Sequence, residues 1–89
     1  MNKIKRQVVE ELLQACVMQE EEYKRGRTSQ EYHNLVAIIV RMHSKLYSFF
    51  ENSKTAEFIA DITRAFAQAG YSISRLLKCL EVCGIEVVE

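Results

Sequence analysis

Two histidines and three cysteines, His33, His43, Cys16, Cys79 and Cys83, are the side chains best suited to metal or nucleophilic chemistry. Their spacing supports neither. His33 and His43 stand ten residues apart, so on one helix they point about 80° away from each other. Cys79 and Cys83 share a helix face at a step that metal sites can use. However, the sequence has no CxxC, HxxxH or HExxH spacing. Free cysteines inside a protein pack as small hydrophobes, so no metal and no cofactor is expected. The carboxylates Glu10/Glu11 and Glu57/Asp61 lie on polar stretches and read as solvated faces. Neither a Ser/His/Asp or Cys/His set nor a phosphate-cradling glycine loop accompanies them. No catalytic residue is assigned, and the expected function is non-enzymatic.

Residues 55–83 suggest a different chemistry, the recognition of nucleic acid. Two helical periods flank Gly70-Tyr71-Ser72 and loosely resemble a helix-turn-helix. In that reading Gly70 is the turn glycine, Ser72 caps the second helix and Leu76 packs it back. Ser74, Arg75 and Lys78 then face a phosphate or a guanine. Phe66, four residues before Gly70, stands where the motif usually has a small residue. The 12 basic and 12 acidic side chains cancel, whereas phosphate neutralisation needs clustered positive charge. DNA is therefore the alternative partner rather than the first. Arg27 and His33 show the Arg-x5-His spacing found in some small helical ribonucleases of the HEPN class. Arg27 falls in a glycine-flanked loop outside any helix, and such pairs often arise by chance.

Helices must position all of these groups. The 89 residues are 48% hydrophobic and 27% charged, with no proline and three glycines, so nothing interrupts long helices. They read as one helical domain, 1–89, with a small core. The first helix is expected over 3–25, with an apolar stripe of Ile4, Val8, Leu12, Ala15/Cys16 and Tyr23. Glu20–Lys24 and Glu21–Arg25 are possible i,i+4 pairs on it. Lys3, Lys5 and Arg6 oppose the dipole at its start, which reads as a flexible, solvated end. Thr28 and Glu31 form a capping box that opens a second helix over 29–50. The polar segment 51–55 offers Asn52, Ser53 or Thr55 as a new cap, so a break is expected there. A third helix, 55–69, would bury Phe58, Ile59, Ile62, Ala65, Phe66 and Ala69. A fourth, 72–83, capped by Ser72, would bury Ile73, Leu76, Leu77, Leu80 and Cys83. Gly26, Gly70 and Gly84 fall where left-handed C-caps are expected. Residues 85–89 are β-prone but too short to make a sheet alone. The expected fold class is all-α, a small bundle of three to four helices.

An odd number of cysteines gives no disulfide framework, and a reducing cytoplasm is the simpler setting. Glu10, Glu11 and Gln14 break the start of the chain as a signal peptide. The longest apolar run, 35–40, has six residues, far short of the ~20 a membrane span needs.

That run makes the second helix the informative one. Tyr32, Leu35, Ile39, Met42, Leu46 and Phe49 recur at alternating steps of three and four, as the a and d positions of a coiled coil do. Residues 35–40 go further: at about 100° per residue, six consecutive apolar side chains surround the helix. Neighbours must cover it on several sides. If the other helices do not suffice, a homodimer or a protein partner would recover about 1.5–3 kcal/mol for each large side chain covered. A regulatory or interaction module docking through Tyr32, Leu35, Ile39, Met42, Leu46 and Phe49 is the expected function.

Overall fold

A computed structural model describes residues 2–26, 29–50 and 52–89. The described chain runs β1 (Lys3–Lys5), α1 (Arg6–Arg25), α2 (Gln30–Phe49), α3 (Ser53–Ala69), α4 (Ile73–Val82) and β2 (Glu86–Val88). This is a small all-α bundle of four helices with a short two-stranded sheet joining its ends. Helix α1 is the central member and packs on α3, α2 and α4.

The helix boundaries follow local chemistry. Ser29 is the N-cap of α2, its hydroxyl accepting from the Tyr32 amide at 3.0 Å. Thr28, expected as that cap, lies outside the described residues, as does Arg27. Phe50 ends α2 in an extended conformation with its ring in the core. The Asn52 side chain then accepts from the Lys54 amide at 2.9 Å and starts α3. Ser72 caps α4 by accepting from the Arg75 amide. Helices α3 and α4 both end in a glycine with positive φ, at Gly70 and Gly84. At Gly84 the Ile85 amide donates to the Leu80 carbonyl at 2.9 Å, and the buried Ile85 side chain pins the turn to the core. Gly26 also has a positive φ, of 146°, but not the left-handed helical geometry expected of it.

The first residues correct the expectation of a helix from Lys3 with a solvated start. Lys3-Ile4-Lys5 is a strand, paired in parallel with β2 in the register Lys3↔Glu86, Ile4↔Val87, Lys5↔Val88. Ile4 alternates inward between two exposed lysines and is buried. The basic residues that oppose a helix dipole are instead tied to the chain's other end. Lys3 meets Glu86 at 3.7 Å, while Arg6 meets Glu10 at 2.8 Å and Glu89 at 3.6 Å. A parallel pair needs a long crossover, and here all four helices form it.

The core draws on all four helices: Val9, Leu12 and Cys16 of α1, Ile39 and Leu46 of α2, Ile59 of α3, and Leu76 and Leu80 of α4. Helix α3 buries a different face from the one expected. Ala56, Ile59, Ala60, Thr63 and Ala67 face inward, whereas Phe58, Ala65 and Ala69 are exposed and Ile62 and Phe66 are half-buried. The inward stripe is made mostly of small residues, which lets α3 approach α1 closely. Thr63 satisfies its buried hydroxyl on the Ile59 carbonyl at 2.6 Å. Two other expected core members also lie outside, Tyr23 and Cys83.

Candidate interaction surface

Helix α2 is held at both ends, which fixes the direction its faces present. At its start, Glu22 of α1 is nearly buried. It accepts from Arg25 at 2.9 Å and, more weakly, from the Ser29 hydroxyl at 3.5 Å. The rings of Tyr23 and Tyr32 meet across the same junction with centroids 6.4 Å apart. At its far end, Leu46 and Phe50 enter the core. The expected pairs Glu20–Lys24 and Glu21–Arg25 give way to Arg25–Glu22 and to a Gln68 amide donating to Glu20.

The six residues expected to contact a partner do not share one environment. Leu35, Ile39 and Leu46 are buried in the chain's own core, and Met42 packs against it. Tyr32 is half-buried beside Tyr23, and Phe49 is exposed. Ile39 and Leu46 cannot line a contact while the chain stays folded, and Leu35 reaches the surface only in the wall of a groove. The reason is geometric: the a/d line is the line of greatest apolar density, so α1 and α3 take it first.

What remains is on either side of that line. Of nine large apolar side chains left exposed among the described residues, four lie on α2: Ile38, Val40, Tyr47 and Phe49. At about 100° per residue, Ile38 and Phe49 fall about 60–80° to one side of the buried line and Val40 and Tyr47 about 100–120° to the other. Ile38 borders a groove shared with α1, lined by Met18, Glu21, Glu31, Asn34 and Leu35. Tyr47 lies toward α3, where burial first and then the nearby Glu57 and Asp61 hold its phenol above the usual range. Sequence reading missed Ile38, Val40 and Tyr47. The signal for Ile38 and Val40 was the unbroken apolar run itself, which surrounds the helix while the core line takes only part of it; Tyr47 lies beyond that run.

On the α3 flank, His43 is half-buried and its Nε2 is without a hydrogen-bond partner. Burial pushes its pKa down, Arg64 adds to that and Asp61 opposes it. Burial likewise raises the Cys16 thiol. The Cys79 thiol is raised by burial and by its neighbour Cys83. All three cysteines are free. His33 is exposed, apart from His43. Among the described residues, no group of three or more His, Cys, Asp or Glu is placed to hold a metal ion.

The residues of the alternative DNA reading, Ser74, Arg75 and Lys78, are all exposed on α4. The Arg75 guanidinium lies over the Tyr71 ring at 4.9 Å, and that ring stands edge-on to Phe66 at 5.2 Å. Phe66, too large for the helix-turn-helix position, supports the turn through this stack. Among the described residues no helix is long and apolar enough to cross a membrane. Comparison of the chain with protein-family models, curated proteins and solved structures finds no match.

Proposed function

We propose that this chain is a small non-enzymatic interaction or regulatory module that self-associates or docks a protein partner through α2. The observation that carries this reading is the concentration of exposed Ile38, Val40, Tyr47 and Phe49 on one helix. Single exposed apolar residues are ordinary on protein surfaces, and what favours a contact here is that four of them fall on one helix, two along each of its flanks. Burying a fully exposed side chain of this size is worth roughly 1.5–3 kcal/mol, and each of the four, already about half covered, would gain about half of that, with ordering and lost freedom offsetting part of the gain. The three free thiols suit a reducing compartment, and we place the module in the cytoplasm.

The reading is tested by placing a carboxylate on the exposed flank. Ile38→Glu and Phe49→Glu change side chains that lie outside the core. Both variants are expected to keep the wild-type unfolding midpoint at low concentration and to lose the association that sedimentation equilibrium detects in the wild type at high micromolar concentration. A wild type that sediments as a monomer throughout that range would remove the case for self-association.

A further inference from the structure

We infer that the occupant of the Ile38 flank is a second copy of this chain, with the two α2 helices antiparallel and a two-fold axis passing beside Ile38. This rests on the reading of α2 as a contact surface and adds its partner and register. The argument is charge complementarity. Glu31, Ile38 and Lys45 stand seven residues apart in succession on α2, and all three are exposed. At about 100° per residue they fall within about 40° of one another, on the flank that also carries Phe49. Seven residues rise about 10.5 Å along a helix. A two-fold axis at Ile38 therefore sets Glu31 of each copy opposite Lys45 of the other, twice, with the two Ile38 side chains between them. A parallel pairing would instead set Glu31 against Glu31 and Lys45 against Lys45.

The surroundings agree with the antiparallel choice. The groove beside Ile38 has Glu21 and Glu31 on its rim and Met18 in its wall. The opposite half of α2 carries Arg41 as well as Lys45. Turning the second copy end for end brings its basic half onto this acidic half. Among the described residues neither Glu31 nor Lys45 has an ion-pair partner within the chain. A two-fold contact of this kind is isologous and closes at a dimer.

The test is a charge swap read by sedimentation equilibrium, with circular dichroism confirming that every variant is folded. Glu31→Lys and Lys45→Glu are each expected to weaken homodimerisation about tenfold, because each places like charges together twice. The double variant should recover wild-type association. A mixture of the two single variants should form a heterodimer in preference to either homodimer, because both contacts are then of opposite sign. Independently, Ile38→Cys in a Cys79→Ser, Cys83→Ser background should oxidise readily to a covalent dimer across the axis. A dimer that ignores the charge swaps and fails to cross-link at position 38 would overturn the register while leaving self-association in place. A wild type that stays monomeric would overturn both.

Discussion

Ile38 and Ile39 are neighbours in the chain and opposites in the fold. Ile39 is 3% exposed, inside the core formed with α1 and α3, while Ile38 is 41% exposed at the edge of the groove between α1 and α2. One helical step of about 100° separates a residue that stabilises the fold from one that remains available to another molecule. Truncating each should separate the two roles. Ile39→Ala is expected to cost about 2–5 kcal/mol, as buried large-to-small changes do. Ile38→Ala should stay within about 0.5 kcal/mol at concentrations too low for association. Urea unfolding of both variants measures the difference.

His43 gives the fold a pH dependence. Its imidazole lies between α2 and α3, near Asp61 and Arg64, with burial holding its pKa below the ordinary 6.5. The unfolded chain takes up this proton near 6.5, and the folded chain resists it. The group's contribution to stability is therefore complete above 6.5 and is lost as pH falls from there through the lower folded value. Thermal melts from neutral to mildly acidic pH should show this loss. His43→Leu should flatten it and, by removing an unsatisfied buried nitrogen, raise stability at neutral pH by up to about 1 kcal/mol.

The sheet makes the two ends of the chain interdependent. Removing residues 86–89 takes away β2 and the contacts of Glu86 and Glu89 with Lys3 and Arg6. A loss of about 1–2 kcal/mol is expected from a few cross-strand pairs. Gly84→Ala should cost about 1–2 kcal/mol through its φ of +87° alone, since a Cβ there meets nothing within 4 Å. Chemical denaturation of the truncated and substituted chains checks both values.

Arg75 bears on the alternative partner. Its guanidinium rests on Tyr71 rather than extending from α4, and the chain's formal charge is zero. Fluorescence anisotropy of a labelled duplex at low salt should therefore stay flat as protein is added. A binding curve whose salt dependence shrinks in Arg75→Ala or Lys78→Ala would favour DNA instead.

The four helices and most of their ends were legible because capping residues and glycines act locally: Asn52, Ser72, Gly70 and Gly84 each mark a boundary from within one or two turns. The sheet was not legible. Lys3-Ile4-Lys5 fits a strand or the first turn of a helix equally well, and what decides is Val87, at the other end of the chain. Size misleads in α3, where the large side chains Phe58 and Phe66 are expected in the core. The small stripe Ala56, Ala60 and Ala67 faces inward because it allows a closer approach to α1. On α2 the density of apolar residues was plain, but not which of them the rest of the chain would cover. That depends on where α1 and α3 lie, which is information carried by other segments.

Amide chemical shifts followed by NMR through serial dilution test most directly whether the outer flank of α2 is a contact surface. The expected result is a concentration-dependent shift centred on Glu31, Ile38, Lys45 and Phe49, extending to Met18 across the groove, with β1, β2 and α4 unchanged. Shifts confined to α4 or to the sheet, or a spectrum identical at every concentration, would contradict it.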